Sequence, residues 1–329
     1  MHAIRIAVWN IQGIFTRKYG KRSSKILDSR FMKRLQSFDI LCLQEIQCGP
    51  HDLTHLQKGY QVHSFHRKIS DNKRYYGGSV IFIKNTISVG VQILNELDGD
   101  KIWIKLLKEF FGAEKDIFIC FCYVPPRTST YKRNLRYDCF QLLENEISRY
   151  KQKGYVVLAG DLNAKTGNAL EYEKEAFDSD DCFYSTGFGK SSRSLHGFSL
   201  QNTTKECAKG RVNSRIKRPW QKRKVTSADT SLKHRNRHNK DKHSIDSQGR
   251  KFLSLFRKTR MRIINGRVKG DFHGGLTRFP TSLRESGSTI DYFATDVTMM
   301  GLIKSLNLLH HLQLSDHLCL ALNINIHVN

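Results

Sequence analysis

Three short stretches place acids, amides and imidazoles where they could act together. YVVLAGDLNAKTG runs five apolar residues and a glycine into Asp161 and, two positions on, Asn163. That spacing aims a carboxylate and an amide at one spot: the first can take a proton from water, the second can donate to a phosphate oxygen. An Asx-turn leaving a strand uses the same residue types, but it does not require Gly-Asp-Leu-Asn after so apolar a run. LSDHLCLAL sets Asp316 beside His317 just ahead of another apolar run, so that a metal ligand neighbours a group able to contact phosphate. GSTIDYFAT supplies Asp291, suited to orient an imidazole by accepting its second ring N–H.

Three further polar residues end apolar runs. Asn10 closes IRIAVWN, Glu45 follows ILCLQ, and Tyr123 closes FICFCY before a Pro-Pro turn. Polar side chains at the ends of buried strands collect at the edge of a sheet, where α/β proteins build their sites. Taken singly, Asn10 and Glu45 are more often strand-ending turn residues than functional ones.

Positioning these groups needs strands. Runs rich in Val, Ile and Phe recur at residues 4–9, 39–43, 79–84, 102–107, 116–124, 155–159, 261–264, 290–294 and 318–326, which favours strands over buried helix turns. Helical patterns lie between some of them, at about 24–37, 132–150 and 248–260; in the second, Leu135, Cys139, Leu142, Leu143 and Ile147 form one apolar stripe. Strands and helices mixed through the whole length predict an α/β protein whose sheets are covered by helices.

Lys and Arg number 55 against 30 acids, a formal net charge of +25. Such an excess argues for an anionic partner, nucleic acid first, because each phosphate neutralised releases counterions. An anionic membrane surface and solubility alone are the other readings. Residues 205–243 hold 14 of the basic residues and three acids. About 168–245 is read as a surface insertion whose basic half, 205–243, is disordered when unbound. Lys217, Arg218, Lys222, Arg223 and Lys224 are its candidate nucleic-acid contacts, with a localisation signal or a bare solvated loop as alternatives. Eight cysteines show no paired or zinc spacing, which suits a reducing compartment. The N-terminus reads as a strand, and no apolar stretch is long enough to span a membrane. A nuclear or cytoplasmic protein, not a secreted one, is expected.

In their order, Asn, Gln-Glu, Tyr, Gly-Asp-x-Asn, Ile-Asp-Tyr and Ser-Asp-His, each at a strand end, these motifs resemble the endonuclease/exonuclease/phosphatase superfamily from about Ile4 to Ile324. QSFDILCLQEI, YGGSVIFIK, RIINGRVKGD and GSTIDYF look closest to the endonuclease domains of LINE-type (non-LTR) retrotransposons. Abasic-site endonucleases carry a Trp-rich stretch before the Asp-Tyr motif, whereas residues 283–289 contain no aromatic.

The resemblance implies a DNase I-like, four-layered α/β sandwich of two packed mixed sheets flanked by helices, as one domain over 1–329. It implies a Mg²⁺-dependent phosphodiesterase, with Mn²⁺ as a substitute ion and DNA as substrate. Glu45 is then the principal metal ligand, helped by Asn10 and Asp316, and oxygen ligands suit Mg²⁺. Asp161 orients and deprotonates the attacking water, Asn163 holds the phosphate, and His317, oriented by Asp291, binds a phosphate oxygen opposite Tyr123. Gln44 supports its neighbours without reacting. Two alternatives stand beside this reading: a domesticated protein that grips nucleic acid without cutting it, and a phosphatase or lipid phosphodiesterase on the same scaffold.

Overall fold

Alternation along the first strand explains the architecture. In β1 (Ile4–Asn10), Ile4, Ile6 and Val8 point to one face, Ala7 and Trp9 to the other, and all five are buried. A strand apolar on both sides needs cover on both sides. The computed structural model describes residues 3–18, 21–50, 52–53, 58–67, 75–94, 100–172, 236–282, 285–310 and 314–326.

Two six-stranded sheets supply the central layers. The first comprises β1, β4 (Ile40–Gln44), β5 (Tyr60–Phe65), β6 (Ser79–Lys84), β13 (Ile303–Leu309) and β14 (Cys319–Ile324), in the order β13-β14-β1-β4-β6-β5. The second comprises β7 (Val91–Ile93), β8 (Lys101–Leu106), β9 (Ile117–Cys122), β10 (Tyr155–Asp161), β11 (Met261–Ile263) and β12 (Asp291–Asp296), in the order β11-β12-β10-β9-β8-β7. Each is mixed: β1 pairs β4 in parallel and β14 antiparallel, while β10 pairs β9 in parallel and β12 antiparallel. A small hairpin joins β2 (Phe15–Lys18) to β3 (Lys21–Ser24).

The core between the sheets draws Ile6, Val8, Ile40 and Ile81 from the first and Ile104, Ile119, Val157 and Phe293 from the second. Helix α1 (Ser29–Gln36) covers the outer face of the first sheet through Phe31 and Leu35, which join a cluster with Ala7, Trp9 and Leu43. Helices α4 (Cys139–Lys151) and α5 (Ser247–Thr259) cover the second through Leu143, Ile147, Phe252 and Phe256. The four-layered α/β sandwich that the family resemblance implies is the fold.

Local boundaries differ from those the periodicity predicts. The 132–150 pattern divides into α3 (Thr130–Asn134) and α4, because the Asp138 side chain accepts the Phe140 N–H and caps a new helix. The buried face of α4 is Phe140, Leu143, Ile147 and Tyr150, so Leu135 lies off the stripe. Similarly, Asp28 caps α1 after a single 3₁₀ turn at Lys25–Leu27. Between β8 and β9, α2 (Lys108–Phe111) is one short turn. The ends of the expected 168–245 insertion belong to the compact unit rather than to a surface loop. Glu171 is buried in an ion pair with Arg267, and Arg237 and Asp241 are buried on the return side. Residues 236–243 are among those described, and Arg237 and Asp241 hydrogen-bond to Gly167 and Thr289 of the sandwich. Lys217, Arg218, Lys222, Arg223 and Lys224 lie outside the described residues. Among the described residues no helix is long and apolar enough to cross a membrane.

Candidate active site

All eight expected site residues outside the insertion gather where the ends of β1, β4, β9 and β10 meet the starts of β12 and β14. The register of β10 on β12 puts Asp161 directly across from Asp291. That of β1 on β4 puts Asn10 beside Gln44, one residue before Glu45. The sheets are joined at this edge by side chains. The Asp161 N–H donates to Gln44 Oε1 (3.0 Å), and the Asn10 amide nitrogen donates to both Glu45 Oε1 (3.1 Å) and Asp161 Oδ2 (3.0 Å). Asn10 thus spans two carboxylates, one from each sheet.

Ser315 explains the residue in front of Asp-His. Its hydroxyl donates to the Asn10 carbonyl (2.7 Å) and its oxygen accepts the His317 N–H (3.1 Å), while Trp9 Nε1 donates to the His317 carbonyl (3.0 Å). These bonds tie the approach to β14 to the end of β1. His317 Nδ1 then lies 3.0 and 2.9 Å from the two Asp291 oxygens, leaving Nε2 4.0 Å from Asp161 Oδ2 and 3.6 Å from Asp316 Oδ1.

The electrostatics follow from burial. Desolvation works to lower the His317 pKa, but Asp291, Asp161 and Asp316 outweigh it and push the imidazole up to about 9. Desolvation, with the adjacent Asp291 carboxylate, raises Asp161 to about 7 despite the attraction of His317. Burial raises the Tyr123 phenol, and the nearby Glu45 carboxylate, to which it is hydrogen-bonded, adds to the rise, so Tyr123 stays a neutral donor.

Asp161 Oδ1 accepts the Asn163 N–H (3.0 Å), so the Asx-turn that the residue types allow is present. The Asn163 amide nitrogen donates to the Val124 carbonyl (3.0 Å), leaving one amide hydrogen for another acceptor. Backbone strain concentrates at the same edge. Of the five non-glycine residues with positive φ among those described, Gln12, Glu45, Gln47 and Asn163 belong to this cluster of strand ends. Such conformations persist where surrounding structure holds them.

Several contributors carried no sequence signal. Lys25 is buried, donates to the Ile11 carbonyl, and is pushed down to about 8 by burial, against the pull of Asp316. Arg278 Nε binds Asp316 Oδ2 (2.9 Å). Arg67 pairs with Asp100, stacks on Tyr131 at 3.8 Å and sits 5.2 Å from the Tyr123 ring centre. All three are long cations arriving from loops or turns, where no periodicity marks them.

A divalent cation suits the donor set. Carboxylate and amide oxygens are what Mg²⁺ and Mn²⁺ prefer, and Asp316 Oδ1 is buried without a hydrogen-bond partner. Asp161, Asp291 and His317 also present ligand atoms within 4.8 Å of one another. His317 Nδ1 already faces Asp291, and the Glu45–Asn10 side offers oxygen donors that could also hold an ion.

A family model of the endonuclease/exonuclease/phosphatase family matches residues 7–317. The chain belongs to the endonuclease/exonuclease/phosphatase family. The match runs from within β1 to His317, so it takes in every residue of the cluster. No curated protein sequence matches the chain. Among solved structures, the family fold recurs in the AP endonuclease LMAP of Leishmania major, with TM-score 0.58 and 14% identity over 98% of this chain and 88% of that one. The 3′ phosphatase NExo of Neisseria, bound to a product DNA hairpin, gives TM-score 0.54 and 14% identity over 98% and 99%. The 3′–5′ exonuclease NExo of Neisseria meningitidis gives TM-score 0.52 and 13% identity over 98% and 100%.

Proposed function

We propose that this chain is a Mg²⁺-dependent endonuclease that nicks DNA by water attack on a backbone phosphate, of the type carried by LINE retrotransposons. The observation that carries the reading is the Asn10 amide spanning Glu45 and Asp161, with His317 held by Asp291 4.0 Å from Asp161. Family membership supports phosphoester chemistry. The net charge of +25 supports a polyanion as substrate, and the three similar structures are named for activities on nucleic acid or its ends. The retrotransposon kinship rests on the sequence motifs alone.

Glu45, with Asn10 and Asp316, would hold the ion, which would supply Lewis acidity at the phosphate. Asp161, ionised, accepts a proton from the attacking water. His317 offers Nε2–H to a non-bridging oxygen while Asp291 keeps Nδ1 engaged. Asn163 donates to the phosphate from one remaining side and Tyr123 from the other, its hydroxyl turning from Glu45 when substrate binds. Nothing beyond the pentavalent phosphorus transition state requires stabilising, so the donors act by placement.

Incubating the chain with supercoiled plasmid in Mg²⁺ or EDTA tests this. Open circles should form only with the metal, and Glu45→Ala and His317→Ala should each lower the rate on the order of 10²–10³. Binding at low salt without nicking would instead support a domesticated binding protein. Phosphate release from small esters by a chain inert on DNA would support the phosphatase or lipid phosphodiesterase.

A further inference from the structure

Before α5 the chain runs as an extended segment, 236–246, across the open end of the β10–β12 pair. Asp161 and Asp291 are the last rung of that ladder, and one more bond, from the Leu162 N–H to the Ile290 carbonyl (2.9 Å), lies beyond it. Two buried carboxylates facing one another at a ladder's end repel, and ladder ends open most readily. The segment holds both strands at that point.

On the β10 side, Arg237 donates to the carbonyls of Gly167 (2.6 Å) and Ala169 (3.1 Å), and Asn239 donates to Gly167 (3.0 Å). Asp246 adds bonds with both the carbonyl (3.2 Å) and the N–H (3.3 Å) of Lys165. On the β12 side, Asp241 Oδ2 accepts the Thr289 N–H (2.9 Å) and Asn239 Oδ1 accepts the Thr289 hydroxyl (3.1 Å). Asp241 is the hub. It is buried, its second oxygen accepts the His243 N–H (2.9 Å), and that oxygen lies 2.6 Å from His243 Nδ1. His243 Nε2 in turn meets Ser286 Oγ at 3.0 Å.

We propose that Asp241 is a positioning residue for the hydrolysis. By fixing the Thr289 amide two residues before Asp291, it sets the approach of Asp291 to His317 and its separation from Asp161. Thr277 completes the path, since its hydroxyl oxygen accepts the N–H groups of both Ile290 and Asp291 (3.0 Å each). The return end of the insertion is therefore a clamp on the catalytic edge, and Asp241 touches none of the reacting atoms. This inference rests on the hydrolytic reading of the site.

The test uses Asp241→Ala and Asp241→Asn in the full chain, with plasmid nicking followed at steady state. The alanine variant should lose about 10- to 100-fold in kcat, the range set by sub-ångström misplacement of a reacting group. The asparagine variant, which keeps one acceptor oxygen for Thr289, should lose less. KM for DNA and the half-saturating Mg²⁺ concentration should stay within about two-fold, because no substrate or metal contact is removed. An unchanged kcat, or a loss carried wholly by KM, overturns the proposal. Amide hydrogen exchange measures the clamp without turnover. Thr289 and Asp291 should exchange about 10-fold faster in the variants while Thr295, deeper in the ladder, stays protected. If the parent chain cuts no DNA, the hydrolytic reading fails, and exchange alone decides: equal rates at Asp291 reject the clamp, and faster ones retain it. Should the alanine variant not fold, the asparagine variant carries the same comparisons.

Discussion

His317 sits among Asp291, Asp161 and Asp316 and is almost wholly buried. Its imidazole is raised to about 9 from an ordinary 6.5. A group with a raised folded-state pKa stabilises the fold fully below its unfolded value and loses that contribution as pH climbs through the folded one. In metal-free buffer the stability gap between the parent chain and His317→Gln should therefore be widest below about pH 6.5 and narrow through about pH 9; urea unfolding at a series of pH values measures it. An unvarying gap would mean that folding leaves the imidazole's pKa unshifted, and a gap that shrinks below about pH 6.5 would mean that it is held neutral. The chemical residues are legible in the sequence because each follows or precedes an apolar run: Asp161, Asn163, Asp316 and His317 announce themselves by adjacency. Their distances are not legible there. The contact of His317 with Asp291 depends on two strand registers, and the contributions of Lys25, Arg278 and Arg67 depend on where loops turn.

Strands buried on both faces read as unbroken apolar runs, which is why β1, β4, β6, β9 and β10 are visible as such. By contrast β5, YQVHSF, alternates with polar residues at a sheet edge, and β2 and β3 are short and charged, so none of the three has an apolar signature. Helix ends depart from the periodicity where an Asp cap interrupts a pattern that would otherwise continue. One strand feature lies beyond any periodicity: Gly160, just before Asp161, has φ +140°, and a Cβ there would come 2.0 Å from the Cys122 carbonyl oxygen and 2.8 Å from Gln44 Nε2. The close approach of β10 to β9 and to the Gln44 amide thus requires glycine. Gly160→Ala should lower unfolding free energy by about 1–3 kcal/mol, the usual cost of overpacking, as denaturant melts would record. It should also reduce nicking beyond what that loss explains, because Gln44 accepts the Asp161 N–H. A variant of parental stability and rate would show that the backbone yields there freely.

Across the whole molecule, charge and connectivity answer different questions. Residues 205–235 lie outside the described residues, whereas 236–246 are part of the sandwich, since Arg237, Asn239 and Asp241 hydrogen-bond to Gly167 and Thr289 beside the candidate site. Deleting 205–235 should leave a folded, metal-competent chain with weaker DNA binding and a shallower dependence of log affinity on log salt concentration. Fluorescence anisotropy across a salt series reads both, and an unchanged slope would show that those residues contact no phosphate. The order of strands carries a different consequence. β1 lies inside its sheet between β4 and β14, so Ile4–Val8 pair with Leu320–Ile324 from the far end of the chain. On a ribosome adding about 5–20 residues per second, Asn10 waits tens of seconds for the segment that carries Asp316 and His317. A nascent chain therefore holds the Asn10 amide and the Glu45 and Asp161 carboxylates long before the imidazole, and the proposed cutting activity switches on only when synthesis of the sandwich is all but finished.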